Sequence, residues 1–219
     1  SASNSGGTIV SGATGASYTP SSATAGTLYY YCVVTGTCGT ATSSISGAFV
    51  TNATTAISSQ STAGQTVCIN GTFTSISVTA TGTGTLTYQW YSNSSASNSG
   101  GTIISGATSA SYTPSSATAG TLYYYCIVTG TCGTATSAVS GAFVTNAATA
   151  ISSQATAGQT VCINGTFTSI SVTATGTGTL TYQWYSNSSA SNSGGTIISG
   201  ATSASYTPSS ATAGTLYYY

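Results

Sequence analysis

The chain has 219 residues and contains no Lys, Arg, Asp, Glu or His, although 40% of it is apolar. That combination excludes ordinary general acid–base catalysis, carboxylate sites for calcium or magnesium, and the cation–phosphate attraction that dominates nucleic-acid binding. It leaves enough apolar surface, with 16 Tyr, 4 Phe and 2 Trp, to build a folded core.

In chain order, the first element to notice is a repeat. "SASNSGGTI" at residue 1 returns at 95 and again at 189, a period of 94 residues. Residues 1–125 laid over 95–219 differ at seven positions: Val10/Ile104, Gly15/Ser109, Val33/Ile127, Ser44/Ala138, Ile45/Val139, Thr54/Ala148 and Ser61/Ala155. The sequence is therefore two and a third copies of one domain-sized unit, too long for a solenoid coil. The reading divides it into the C-terminal part of one domain (1–50), a complete domain (51–144) and the N-terminal part of a third (145–219). A chain cut inside its repeats is expected to be a window on a longer polymer; the rival reading, that the two partial domains complement each other between chains in donor-strand fashion, is disfavoured because 189–219 duplicate 1–31.

Within the complete copy the strands run as follows. "TVCIN" (66–70) is a short strand closed by the turn dipeptide Asn70-Gly71. "FTSISVTATG" (73–82) places Ile76, Val78 and Ala80 on one face, and "TLTYQWYS" (85–92) does the same for Leu86, Tyr88 and Trp90. "GTIIS" (101–105) and "ASYTP" (110–114) are shorter. "TLYYYCIVT" (121–129) groups Leu122, Tyr124, Cys126 and Val128, and "TATSAVSGAFV" (134–144) closes the unit. Gly, Ser, Asn and Pro clusters separate these runs, and no stretch has helical periodicity. Seven or eight short strands in 94 residues predict an all-β antiparallel sandwich.

The nucleophiles present, Ser, Thr, Cys and Tyr, have no base to activate them. No Cys-x-x-Cys pair suggests zinc. No enzyme activity, cofactor, metal or nucleic-acid partner is expected. No apolar run approaches the length of a membrane-spanning helix, so no transmembrane segment is expected either.

"YQWY" (88–91), then "YYC" (124–126), then Gly133 resemble an immunoglobulin-type domain. The resemblance implies that Trp90, and Trp184 in the next copy, are core tryptophans, and that Tyr124 is the corner tyrosine of the sixth strand. Val78 stands where such domains usually carry the partner cysteine, so their usual inter-sheet disulfide cannot form. The acidic residue usually found before that strand is also missing. Residues 65–93, 104–114 and 123–137 are more specifically similar to the tandem Ig-like repeats of large secreted adhesins and filament-forming proteins of Bacteroidetes-type bacteria. The resemblance implies a bacterial, extracellular cell-surface location, and a disulfide between Cys68 and Cys132.

Each unit has three cysteines, so one is left over. Cys126 is read as a buried free thiol facing Val78 and Trp90. In a regular sandwich Cys68 and Cys132 lie at opposite ends, which leaves Cys126–Cys132 as a local alternative. Cys32, Cys38 and Cys162 are the equivalent candidates in the other copies, and a spare cysteine could also cross-link neighbouring units. Tyr123 and Tyr125 alternate with Tyr124 and are expected to face outward as contact aromatics. Partners are expected to be further copies of the same chain. Surface glycans, held by loops such as 92–101, are the alternative.

Overall fold

The structure is a computed structural model and describes residues 3–219. The strand pairings described below are antiparallel, and no helix occurs among the described residues. None is therefore long and apolar enough to cross a membrane. The first third contains β1 (Gly26–Leu28), β2 (Val33–Gly36), β3 (Gly39–Thr42) and β4 (Phe49–Thr51). The complete copy contains β5 (Ala56–Gln60), β6 (Gln65–Cys68), β7 (Ile76–Thr81), β8 (Thr87–Asn93), β9 (Thr102–Ile103), β10 (Ser111–Tyr112), β11 (Gly120–Gly130), β12 (Gly133–Thr136) and β13 (Phe143–Asn146). The last third contains β14 (Ala150–Gln154), β15 (Ile170–Thr175), β16 (Tyr185–Asn187), β17 (Thr196–Ile197), β18 (Ser205–Tyr206) and β19 (Tyr217–Tyr218).

The chain forms two compact units. One takes in the chain up to Gly64, Thr74–Pro114 and Leu122–Phe143; the other takes in Gln65–Phe73, Ser115–Thr121 and Val144–Tyr219.

In the first unit β7 lies between β5 and β10, while β11 pairs with both β8 and β12, and β8 with β9. The inward positions alternate as a half-buried strand requires. Ile76 and Val78 of β7 are buried, as are Trp90 of β8 and Tyr124, Cys126 and Val128 of β11, with Phe143 closing the core. Tyr112 of β10 joins the two sheets: its ring centroid lies 6.1 Å from that of Trp90 and 5.7 Å from that of Tyr124. The result is a β-sandwich whose two inner faces share one aromatic core. In the same unit β1 pairs with β4 and β2 with β3.

Three expectations need correction here. Strand β5 has no counterpart in the sequence reading, because "AISSQ" offers one large apolar residue, Ile57, and a bulge between Ile57 and Ser59 breaks its alternation. Leu122 is 40% exposed rather than in the core, because the pairing of β11 with β8 begins only at Tyr123↔Asn93 and nothing on β8 opposes it. The closing strand is not continuous over 134–144. Residues 137–142 leave the ladder, and two serine hydroxyls take over as acceptors. The N–H of Cys126 donates to Ser137 Oγ and that of Tyr124 to Ser140 Oγ, each at 2.9 Å. Short hydroxylated side chains compete in this way with backbone partners.

Both serines are buried, so removing either hydroxyl orphans a buried N–H. Ser137→Ala and Ser140→Ala are each expected to lower stability by about 1–3 kcal/mol. Urea denaturation followed by circular dichroism reads this. Two variants as stable as the parent would show that water replaces the hydroxyls at no cost.

In the second unit β15 lies between β14 and β18, and β16 between β17 and β19. Trp184 is buried and its indole N–H donates to the Ser203 carbonyl at 2.8 Å. The Asn-Gly turns form as the sequence indicates. The Gly71 N–H donates to the Cys68 carbonyl at 2.8 Å, and Asn70 takes a positive φ of 63°, a conformation that asparagine tolerates better than most residues.

Candidate functional site

An aromatic row runs through the first unit. Trp90 and Tyr112 are followed by Tyr124, whose ring meets Phe143 edge-on at 5.3 Å and 86°. The Trp90 indole N–H donates to the Ser109 carbonyl at 2.9 Å, which removes the cost of burying that donor. Burial pushes the Tyr124 hydroxyl up to about 12, with Tyr112 adding to the shift. Cys126 stands opposite Trp90 in the ladder, and burial raises its thiol to about 11 against a smaller opposing pull from the Gln89 main chain. A thiol so disposed is a space-filling apolar group rather than a nucleophile.

The outward face of β11 differs from expectation. Tyr123 is half-buried, but Tyr125 is only 3% exposed and is not available as a contact residue. Its ring stacks on that of Tyr91 at 5.1 Å and 6°, and its hydroxyl accepts the Gly101 N–H at 3.1 Å. A Cβ on Gly101 would lie 2.8 Å from the Tyr125 ring. A Gly-Gly pair followed by a tyrosine is thus a latch, repeated as Gly7–Tyr31 and Gly195–Tyr219. The spacing of 24 residues, present in every copy, was the available signal.

All six cysteines are free thiols. Cys126 is buried and Cys132 half-buried, while Cys32, Cys38, Cys68 and Cys162 are exposed. The Cys68–Cys132 and Cys126–Cys132 disulfides are not formed. Cys126 is committed to the core beside Trp90, whereas Cys132 lies in the turn between β11 and β12. Among the described residues no three metal-binding side chains come together.

The 92–101 loop, read above as a glycan site, turns its polar groups on itself. The Asn93 amide donates to the carbonyls of Ser97 (3.3 Å) and Ser99 (3.0 Å), and its oxygen accepts from the N–H and hydroxyl of Ser95. Asn98 donates to the Ser137 carbonyl at 2.9 Å.

The second unit also carries an open concavity. It is a groove of about 420 Å³ whose walls include Ile151, Val172, Leu180, Tyr182, Trp184 and Tyr219. No sequence motif announced it.

Sequence and fold together define a charge-free, all-β repeat protein. The chain belongs to the family described as "Domain of unknown function (DUF8696)", which matches residues 57–146 and 151–219. The second match begins 94 residues after the first (151 − 57), the period of the repeat. No curated protein matches the chain.

Proposed function

We propose that the protein is an extracellular structural protein of a bacterial cell surface, in which tandem Ig-like domains form a filament or the stalk of an adhesin. The observation that carries this reading is near-identity of successive copies combined with the complete absence of charge. A catalytic or recognition site needs particular side chains in one place. This chain instead repeats one core, Trp90/Tyr112 and Trp184/Tyr206, with the same ring separation of 6.1 Å. Without charge there is no long-range repulsion between copies, so hydroxyls, tyrosines and strand edges can associate at close range. The Ig-like assignment is supported by Trp90 lying opposite Cys126 across β8 and β11, with Tyr124 two residues before it. The glycan-binding alternative is disfavoured by the self-satisfied 92–101 loop.

Electron microscopy of native material tests the reading. Filaments with density repeating once per 94-residue copy are expected. Discrete, closed particles would overturn it.

A further inference from the structure

Asparagine followed by glycine occurs twice in the chain, at Asn70-Gly71 and, 94 residues on, at Asn164-Gly165. In the complete copy both residues are dictated by the turn they make. The turn runs from Cys68 to Gly71 and is closed by the Gly71 N–H donating to the Cys68 carbonyl at 2.8 Å. Asn70 stands third in it with φ 63°, a conformation that asparagine tolerates and branched side chains do not. A Cβ on Gly71 would lie 2.9 Å from the Cys68 oxygen and 3.1 Å from Val67 Cβ, so glycine is the residue that fits. The last copy repeats the arrangement: Asn164 has φ 60°, and a Cβ on Gly165 would lie 2.9 Å from the Cys162 oxygen.

The shape that selects this dipeptide also selects a labile amide. The nitrogen of a following glycine can reach the asparagine Cγ with no side chain in its way. That nitrogen gives up its proton and bonds to Cγ, ammonia leaves, and a five-membered succinimide results. Water then opens the ring to aspartate or isoaspartate, so one water is consumed and one ammonia released. Asn70 is exposed, so water reaches it. The other asparagines of the copy are worse placed. Asn52 and Asn146 precede alanine, whose methyl crowds the attack. Asn93 and Asn98 precede serine, and their amides are held by the carbonyls of Ser97, Ser99 and Ser137.

Hydrogen bonds hold the turn shut. The Ile69 N–H donates to the Asn146 carbonyl at 2.8 Å and the Asn70 N–H to the Ser116 carbonyl at 3.0 Å. The Ser116 hydroxyl donates to the Gly71 carbonyl, and Ser116 itself is buried. The nitrogen that must attack, that of Gly71, is committed as a donor to Cys68, so attack awaits opening of the turn. Of these tethers the Ser116 hydroxyl is the one supplied by a side chain. Ser210 and Gly165 form the same bond in the last copy.

We infer that Asn70 is a site of spontaneous deamidation restrained by the Ser116 hydroxyl, and that its product is the first carboxylate side chain on a charge-free surface. Each event exchanges a neutral amide for a carboxylate, so successive copies accumulate negative charge with age. Repulsion between those charges acts over a longer range than contacts between hydroxyls and tyrosines. The use of that charge to loosen an assembly rests on the assembly reading above. The chemistry of the turn is a property of one copy and stands or falls separately.

The test is incubation of the 219-residue chain in mildly alkaline buffer, with chymotryptic peptides analysed by mass spectrometry for conversion of amide to acid and by chromatography for isoaspartate. Asn70 is expected to convert before Asn52, Asn93, Asn98 and Asn146. Ser116→Ala removes the hydroxyl and keeps the main-chain carbonyl. Conversion at Asn70 should then rise about fivefold, the factor carried by one ordinary hydrogen bond, while Asn164, beside an intact Ser210, keeps its parent rate. Ser137→Ala, a destabilising change away from the turn, should leave Asn70 within about twofold of the parent, because the opening is local. The parent in urea below its unfolding transition gives an answer without any variant. Conversion through local opening exposes little surface and should hardly respond to denaturant. The proposal is overturned by an Asn70 that converts no faster than the other four, by a Ser116→Ala chain that keeps the parent rate or is matched by Ser137→Ala, or by a rate that climbs with urea as steeply as global unfolding. Filaments of native material seen alongside any of these results would leave the assembly reading intact and reject only this site.

Discussion

Trp90→Ala is expected to destabilise the complete copy by about 3–5 kcal/mol, the usual cost of truncating a large buried aromatic side chain. Several losses coincide at this residue. The indole is 3% exposed, so its whole surface returns to a cavity. Its contact with Tyr112, the ring that in turn meets Tyr124, disappears. The Ser109 carbonyl loses its donor. A domain of this size has about 5–15 kcal/mol in total, so the variant approaches the unfolding threshold. The chain has two tryptophans, so in this variant indole fluorescence reports residue 184 alone, while circular dichroism follows the whole chain. A urea transition for the complete copy lower by those few kcal/mol is expected. A change below about 1 kcal/mol would show that Tyr112 and its neighbours collapse into the space.

Trp90 was legible in the sequence because a strand with period two leaves only one face for a large apolar side chain. The same argument placed Ile76, Val78, Tyr124, Cys126 and Val128 inside, and the structure buries all of them. It failed where the period is not the cause. Tyr125 belongs by alternation to the outer face and sits there, yet it is covered by a partner on the neighbouring strand, Tyr91, and by a glycine whose missing side chain makes room. Burial outside the core depends on contacts between segments that alternation does not encode. The break at residues 137–142 was hidden because serine suits both a strand and a substitute for one. Strand β5 was hidden because it contributes little apolar surface and is held by its ladder to β7.

Stability is expected to be indifferent to pH from strongly acid conditions to about pH 8, and to fall steeply above about pH 9. The acid side follows from what is missing. Acid unfolding protonates carboxylates that are paired in the native state, or charges buried histidines, and this chain has neither. The alkaline side follows from Cys126 and Tyr124. Burial raises the thiol from 9.0 to about 11 and the phenol from 10.0 to about 12, and burial also raises Tyr218. Above pH 9 the unfolded chain releases these protons first and the folded chain retains them. The folded state then binds more protons, so the free energy of unfolding decreases as pH rises. The contribution of Cys126 is complete below about 9 and gone by about 11; that of Tyr124 is complete below about 10 and gone by about 12. Each group accounts for at most about 2–3 kcal/mol. A second effect acts in the same direction. Negative charge gained in alkali has no lysine or arginine to offset it, and like charge disfavours the compact state. Urea midpoints at pH 2, 5 and 8 should therefore coincide and hardly respond to moderate salt, while the midpoint at pH 11 should be much lower. Cys126→Ala should flatten the first part of the alkaline limb and leave the part above pH 10 in place. A midpoint that already falls between pH 5 and 8 would overturn this account, because no carboxylate or imidazole side chain is present to titrate there.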